Sequence, residues 1–445
     1  MKFTHVLAAM VVSLFLATVC TAGELFPRRT IGLDARLNSP YISSKGGTAY
    51  LHISVTTPDV GTAKRRPMNI SVVLDRSGSM AGEGKIDYAK RALNSLIDQL
   101  NPEDIFSIVV YDDQIDVLRA AAPVRDKWEL KRLVESIYAR GSTNLGGGMI
   151  EGFQQVQRYV SKEFVNRVVL LSDGLANQGI VDPNELNRIA RQYRSKSITL
   201  TTMGVGLDYN ENLMVALADN GGGNYYFIES PNILASILRK EMNMLASIVA
   251  QNAVLEMTLG EGVHLKDIIG CEYRPENALY LIPIGDLYAN DTREVTVELA
   301  IPPGRRSMTV ASGVLRYKSE FAGLRRMPDF NVTIHYTNDH VVIEKNRDME
   351  AQSKADIAVS TRRVERAMQA VDEGRVDDAA NELREAKSML MASPAASAQG
   401  AASGDLRRQA TELDKFEQLL KDSTDTRRAK KAIQYENYRT QKNKK

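Results

Sequence analysis

The sequence predicts an α/β protein with a doubly wound, mainly parallel sheet, followed by an antiparallel β-sandwich and C-terminal α-helices. Three observations support this fold class. Between residues 67 and 247, short apolar runs alternate with amphipathic stretches of helical period, as in a parallel sheet with helices on both faces. Between 251 and 345 the helical pattern stops and short alternating segments follow. From 347 onward the chain is highly charged and again helical in period.

The composition is that of a globular protein of about three domains. The 445 residues are 43% hydrophobic and 25% charged, which excludes a disordered, collagen-like or multi-span membrane chain. Lysine and arginine total 57 against 55 acidic residues, and the net charge of +2 argues against nucleic acid as a partner. The two cysteines, Cys20 and Cys271, exclude a disulfide scaffold.

The N-terminus predicts export. Residues 1–22 combine a positive start at Lys2, an apolar stretch and a small-residue cleavage site ending at Ala22, as in a secretory signal peptide. A retained membrane anchor is an alternative, although the apolar stretch is short for a span of about 20 residues. Lipidation at Cys20 is a weaker alternative, because the valine before it is bulkier than the small residue that processing prefers. We therefore expect a periplasmic, cell-envelope or secreted protein.

The first predicted element after this segment is an isolated strand. Residues 48–57 alternate apolar and polar side chains, which predicts a half-buried strand with His52 facing solvent. We assign residues 23–66 to N-terminal strands of the β-sandwich. Because a single strand is not stable alone, we expect it to pair with strands after residue 250, so that the α/β domain interrupts the sandwich.

The α/β region, 67–247, contains five predicted strands and six predicted helices. The strands are near-continuous apolar runs, typical of strands buried on both faces: Met68–Leu74, Ile105–Tyr111, Arg167–Ser172, Ser197–Met203 and Asn224–Ile228. The helices are Lys85–Leu100, Lys127–Ala139, Asn144–Val160, Pro183–Arg194, Asn210–Asp219 and Asn232–Ala250. This alternation predicts a doubly wound domain.

The remaining regions follow the same kind of argument. Residues 251–345 predict the sandwich, because their segments alternate like strands and Gly and Pro separate them. Apolar stripes of helical period predict an αα-hairpin over 347–391, and the small residues of 392–404 predict a flexible linker. Residues 405–445 predict a charged helix and a basic tail. Contact of this tail with a membrane and a simple solvated helix end are both open interpretations.

The residues that suggest chemistry lie at strand ends or at a helix start in the α/β region. Asp75-Arg76-Ser77-Gly78-Ser79 comes directly after the first apolar run, Thr143 precedes a helix, and Asp173 follows the third run. Ligands bind at the carboxyl ends of strands in open parallel sheets, so we expect these loops to meet. The candidate metal ligands are Asp75, Ser77, Ser79, Thr143 and Asp173. Five such oxygens suit Mg²⁺, which takes six, and leave one position for water or an incoming carboxylate.

This set matches a family signature. The chain from about 67 to 247 resembles a von Willebrand factor type A (VWFA) domain, a Rossmann-like fold that carries Asp-x-Ser-x-Ser, a distant Thr and a distant Asp-Gly, here Asp173-Gly174. The resemblance implies a metal-ion-dependent adhesion site in which the five residues hold Mg²⁺ or Mn²⁺ and an acidic side chain of a protein partner completes the coordination. Ca²⁺ is a further candidate. The flanks also resemble bacterial exported proteins in which this domain interrupts a β-sandwich, and related arrangements occur in inter-α-trypsin inhibitor heavy chains.

We therefore expect a non-enzymatic protein that binds a partner through an Asp or Glu and has no small-molecule substrate. The alternative is a structural or assembly component of the cell envelope in which the metal only stabilises the loops. A nucleotide hydrolase is disfavoured, because five residues separate Gly78 and Gly84 where a phosphate loop has four, and Ile86 stands where Ser or Thr would hold Mg²⁺. No histidine lies in the α/β region, which argues against a Ser-His-Asp triad.

Overall fold

The computed structural model describes residues 30–59, 65–319, 328–422 and 426–442. The predicted signal peptide, 1–22, and with it Cys20, lies outside these residues. Within the part of the chain that is described, no helix combines the length and the apolar character needed to cross a membrane.

The described chain contains 16 strands and 11 α-helices. The strands are β1 Gly32–Leu37, β2 Tyr41–Ser43, β3 Gly47–Thr56, β4 Met68–Asp75, β5 Ile105–Tyr111, β6 Ile115–Pro123, β7 Val165–Ser172, β8 Thr199–Val205, β9 Gly222–Ile228, β10 Ile248–Leu259, β11 His264–Ile269, β12 Arg274–Glu276, β13 Leu279–Tyr288, β14 Thr292–Ile301, β15 Met308–Ser319 and β16 Asp329–Thr337. The helices are α1 Lys85–Gln99, α2 Lys127–Glu135, α3 Leu145–Gln157, α4 Pro183–Ser195, α5 Glu211–Gly221, α6 Leu234–Ala246, α7 His340–Lys345, α8 Met349–Asp372, α9 Val376–Ala392, α10 Ala401–Asp422 and α11 Thr426–Gln441.

Strands β4 to β9 form one sheet in the order β6-β5-β4-β7-β8-β9. All neighbours run parallel except β5 and β6. The apolar runs are continuous because both faces of the strands are buried: Val72 and Leu74 of β4 face one apolar core, and Val73 faces the other. The predicted fold class is confirmed. The edge strand β6 was not predicted, because its half-exposed side chains form no continuous apolar run.

The order of this sheet opens a crevice between β4 and β7. From β4 the chain continues to β5 on one side, and β7 later adds on the other side of β4. Connections that leave neighbouring strands in opposite directions leave a crevice at the carboxyl ends, where ligands of open α/β sheets bind. Asp75 is the last residue of β4, and Asp173 directly follows β7.

Strands before and after the α/β region share two further sheets. One has the order β1-β3-β14-β11, and the other has the order β12-β13-β10-β15-β16-β2. Neighbours are antiparallel except β2 and β16, which run parallel. A common apolar core lies between the sheets, with Leu51 of β3 and Leu255 of β10 fully buried in it. Segment 48–57 thus pairs as expected with strands beyond residue 250, because β3 pairs with β14 along its whole length.

These two sheets meet the α/β sheet at the amino ends of its strands. Arg167, near the start of β7, forms a buried ion pair with Asp286 of β13, with 3.1 Å between nitrogen and oxygen. Ser197, just before β8, accepts a hydrogen bond from Lys318 of β15 at 2.7 Å. The carboxyl ends, and the crevice between β4 and β7, therefore lie at the opposite edge of the α/β sheet.

The face of β3 that was predicted to be exposed is covered by α8. His52 is only 3% exposed. Beside it, Lys354 of α8 forms an ion pair with Glu294 of β14 at 2.9 Å. Burial lowers the pKa of the His52 imidazole, because the charged form loses its hydration. The expectation that His52 faces solvent was wrong, since sequence alternation did not show the helix that packs on the second face.

The prediction of a flexible linker at 392–404 was also wrong. Pro394–Ser397 is a 3-10 helix with Ala395 fully buried, and α10 begins at Ala401. Small side chains let this segment pack closely against its helical neighbours, and alanine is the residue that most favours helix. The same composition that indicates a flexible chain in isolation therefore forms a tight corner between α9 and α10.

The predicted basic tail within 405–445 is instead the helix α11, which covers the edge of the α/β sheet. β9 is the edge strand, and the hydroxyl of Tyr438 accepts a hydrogen bond from the backbone N–H of Tyr225 in β9 at 3.1 Å. Lys430 and Lys431 are buried and both form ion pairs with Glu211 at the start of α5. These lysines are neutralised inside the protein, so neither membrane contact nor a solvated helix end describes them. The helix supplies the partner that an edge strand lacks.

Candidate metal centre

The crevice contains the carboxylate of Asp75, which is fully buried at the end of β4. One oxygen accepts a hydrogen bond from the backbone N–H of Ser77 at 2.8 Å. The other accepts hydrogen bonds from the hydroxyls of Ser172 at 2.7 Å and Tyr111 at 3.3 Å. Burial raises the pKa of Asp75 to about 6, because the ionised carboxylate loses its hydration. A cation beside Asp75 would offset this cost.

Two serine hydroxyls connect Asp75 with the loop after β7. Beyond Asp75 the chain turns into the 3-10 helix Gly78–Gly84, with Ser77 as its N-cap residue. The Oγ atoms of Ser77 and Ser79 lie 3.0 Å apart, and Ser79 Oγ donates to Asp173 Oδ1 at 2.7 Å. Ser77 and Asp173 are buried, whereas Ser79 is exposed. The oxygen cluster is therefore accessible from one side.

Thr143 enters the cluster from a third loop. Its backbone N–H donates to the side-chain oxygen of Asn177 at 2.9 Å, and its carbonyl accepts from the N–H of Asn177 at 3.1 Å. Gly174 lies between the loops, since a Cβ atom there would be 3.3 Å from Thr143 Oγ1 and 3.5 Å from Ser79 Oγ. The structure therefore brings together all five predicted residues: Asp75, Ser77, Ser79, Thr143 and Asp173.

The donor set fits Mg²⁺ or Mn²⁺. Three hydroxyls and two carboxylates are hard oxygen ligands, which these ions prefer. Among the described residues, no group of three or more His, Cys, Asp or Glu side chains is arranged to hold a metal, and the cluster at this crevice offers hydroxyl oxygens beside its two carboxylates. The hydroxyls of Thr143 and Ser79 are two of these oxygens, and both lie next to Gly174, the residue after Asp173.

Three further residues contact the cluster that sequence analysis did not assign to it. Tyr111 and Ser172 both donate to Asp75. Each is the last residue of a strand next to β4, and this position is the signal that could have identified them. Lys85, which a phosphate loop would direct towards a phosphate, donates from Nζ to Asp173 Oδ2 at 2.8 Å. The sequence shows that Lys85 lies close to the Asp-x-Ser-x-Ser segment, but it does not show that Lys85 pairs with Asp173.

An ion-pair network holds two loops of the candidate centre against each other. Asp112 is fully buried and accepts hydrogen bonds from Arg76 Nε at 2.9 Å and Arg140 Nε at 2.7 Å. In addition, the backbone N–H of Arg140 donates to the carbonyl of Arg76 at 2.7 Å. Asp112 also closes its own turn, since its Oδ1 accepts a hydrogen bond from the backbone N–H of Gln114 at 2.7 Å. It fixes the loop that carries Ser77 beside the loop that carries Thr143.

Comparison with known proteins identifies the domain that carries this centre. Residues 69–240 match the family model of the von Willebrand factor type A domain. Residues 69–240 are a VWFA domain. The uncharacterised protein YfbK of Escherichia coli strain K12 is 30% identical over 203 residues, which cover 45% of this chain and 35% of that protein. Inter-alpha-trypsin inhibitor heavy chain H3 of Mus musculus is 27% identical over 218 residues, covering 45% of this chain and 24% of that protein.

The chain thus spans about a third or less of the length of these two relatives. A solved structure extends the similarity beyond the VWFA domain. A von Willebrand factor type A protein from Catenulispora acidiphila has a TM-score of 0.71 at 17% identity, with 93% of this chain and 97% of that chain covered. This likeness shows a shared fold that includes the flanking sheets and the C-terminal helices.

Proposed function

We propose that this chain is an exported, non-enzymatic binding protein whose VWFA domain uses Mg²⁺ or Mn²⁺ to engage an acidic residue of a protein partner. VWFA domains are often interaction and adhesion modules. The observation that carries the proposal is the convergence of five side-chain oxygens from three loops at the carboxyl end of the sheet. The signal-like N-terminus, 1–22, supports export.

Each residue of the candidate centre contributes either negative charge or a neutral oxygen. Asp75 and Asp173 provide the negative charge, and Ser77, Ser79 and Thr143 provide neutral oxygens. A bound divalent ion would supply positive charge and a position for one further oxygen, since Mg²⁺ takes six. A carboxylate of the partner brings both an oxygen and a negative charge, whereas water brings only a dipole.

The surroundings of the centre favour a protein partner. The loops of the candidate centre lie at the edge of the sheet opposite the two antiparallel sheets, so the described strands of these sheets do not cover them. Two large side chains beside the centre face solvent: Leu175, two residues after Asp173, is 56% exposed, and Tyr138, two residues before Arg140, is 60% exposed. Aromatic and apolar side chains of this kind are typical of the buried centre of protein interfaces.

The test compares two threonine variants. Thr143→Ala removes one hydroxyl from the centre without changing the charge, and Thr411→Ala removes the same group from an exposed position of α10. Calorimetric titration should show Mg²⁺ binding weakened about 10–100-fold in Thr143→Ala and unchanged in Thr411→Ala. Proteins captured from the native cell envelope in Mg²⁺ should be released by EDTA and should not be retained by Thr143→Ala.

The captured partner provides the decisive control. One of its Asp or Glu residues should be indispensable, and its replacement by Asn or Gln should remove most of the affinity. Capture that is equal in Mg²⁺ and EDTA for the wild type and both variants would contradict the proposal. That result, together with metal-dependent stability, would favour a structural or assembly component of the envelope in which the metal only stabilises the loops.

A further inference from the structure

Lys85 places a positive charge inside the candidate metal centre. Its Nζ lies 2.8 Å from Asp173 Oδ2, the lysine side chain is 7% exposed, and the carboxylate is fully buried. The other oxygen of Asp173 accepts the hydrogen bond from Ser79 Oγ at 2.7 Å. The ammonium group and a hydroxyl of the centre therefore share one carboxylate.

The helix that carries Lys85 does not explain why a lysine is there. Lys85 is the first residue of α1, and the N-terminus of a helix has a partial positive charge that disfavours a cation. Its N-cap residue, Gly84, provides no side-chain hydrogen bond. Burying an ammonium group is also unfavourable unless it is paired. The contact with Asp173 offsets both effects, so the candidate centre, and not the helix, explains why a lysine is at this position.

The charges of the centre show what the ammonium group does. Asp75, Asp173 and Lys85 together carry a formal charge of −1, from two carboxylates and one ammonium group. A divalent ion changes this to +1, whereas without the lysine the loaded centre would be neutral. A positive centre attracts an anionic ligand, and the ammonium group repels the ion itself.

We propose that Lys85 sets the balance between metal and partner: it weakens binding of the divalent ion and strengthens binding of the carboxylate that completes its coordination. This inference rests on the proposed function, since it assumes a divalent ion at the five residues. Its consequence is coupling. The ion is held more loosely in the free protein than in the complex, and by reciprocity the ion raises the affinity for the partner by the same factor.

The test removes the charge and keeps the length of the side chain. Lys85→Met is compared with Lys131→Met, in which the lysine removed lies on α2 and pairs with Asp98 at 2.6 Å on the surface. Titration with Mn²⁺, followed by electron paramagnetic resonance of the free ion, should give a Kd about tenfold lower in Lys85→Met. Titration of the Mn²⁺-loaded protein with acetate, followed by water proton relaxation, should give a Kd at least about fivefold higher. Lys131→Met should behave as the wild type.

The outcomes separate this inference from the proposed function. Equal Mn²⁺ and acetate affinities in wild type and Lys85→Met would overturn the role of Lys85 and leave the proposed function standing. A wild type that binds Mn²⁺ but not acetate would overturn the proposed function. The Mn²⁺ titration would then decide only whether Lys85 weakens binding of the ion. Weaker Mn²⁺ binding in a folded Lys85→Met would also overturn the inference. If Lys85→Met does not fold, Lys85→Gln, which keeps a hydrogen-bond donor, should shift both affinities in the same directions.

Discussion

Replacing Asp75 by Asn should stabilise the metal-free protein and remove its stabilisation by Mg²⁺. Burial raises the pKa of Asp75 from 3.8 to about 6, so the folded protein binds this proton more tightly than the unfolded chain does. The stability of the metal-free protein therefore falls as the pH rises from about 4 to about 6. Above that range the ionised carboxylate costs about 3 kcal/mol, because each pKa unit corresponds to about 1.4 kcal/mol.

The Asp75→Asn substitution removes the buried charge, but it also removes a hydrogen-bond acceptor. The two oxygens of Asp75 accept hydrogen bonds from Ser77, Ser172 and Tyr111, and an amide nitrogen accepts none. One lost hydrogen bond costs about 1 kcal/mol, which leaves a net gain of about 1–2 kcal/mol in EDTA at pH 8. In the wild type, Mg²⁺ at a hundredfold excess over its Kd adds about 2.7 kcal/mol. Asp75→Asn should lose most of that increment. The variant should therefore be more stable than the wild type in EDTA and less stable than the wild type in Mg²⁺.

Differential scanning calorimetry of both proteins in EDTA and in Mg²⁺ measures this reversal. The expected shifts are a few degrees, since 1 kcal/mol corresponds to about 2–4 °C in a domain of this size. Asp98→Asn makes the same chemical change at an exposed position of α1 and should shift neither transition. If Asp75→Asn melts below the wild type in EDTA, or keeps the full Mg²⁺ shift, the interpretation of Asp75 as a buried ligand that requires a cation is refuted.

Three further predictions concern other parts of the structure. Arg167→Met should lower the stability by about 3–5 kcal/mol in thermal unfolding, because it leaves Asp286 buried without its partner, whereas Arg188→Met at the surface should have little effect. Gly174→Ala places a Cβ 3.3 Å from Thr143 Oγ1 and should weaken Mg²⁺ binding in calorimetric titration, with an unchanged circular dichroism spectrum. Tyr438→Phe removes the acceptor for the Tyr225 N–H, and hydrogen exchange at β9 should become faster by about fivefold, corresponding to about 1 kcal/mol; unchanged exchange would mean that α11 does not protect this edge.

The two candidate carboxylate ligands could be predicted because they follow strands with a clear apolar pattern. Asp75 and Asp173 each come at the end of, or directly after, a run of apolar residues typical of a strand buried on both faces, and parallel strands bring their carboxyl ends to one edge. A local pattern was therefore sufficient to predict the fold class and the position of these two carboxylates.

Two of the errors came from residues whose partners are distant in sequence. Lys431 lies in a basic segment that looks solvated, yet it pairs with Glu211, 220 positions away. His52 is on the polar side of an alternating strand, and the helix that buries it begins at Met349. Local composition reflects only the neighbours of a residue along the chain. The burial of Lys431 and His52 depends on elements distant in sequence that pack against them.

The position of the candidate metal centre has a mechanical consequence. β4 runs beside β7, which contacts the antiparallel sheets near its start, and β4 ends at Asp75, so a partner that pulls on an ion bound there would load this strand along its axis. β4 is flanked by β5 and β7 along nearly its full length. Tension along the strand would shear both ladders of hydrogen bonds simultaneously, instead of opening them one after another as peeling from an edge would. The domain would therefore hold a partner under lateral drag without unfolding from its point of attachment.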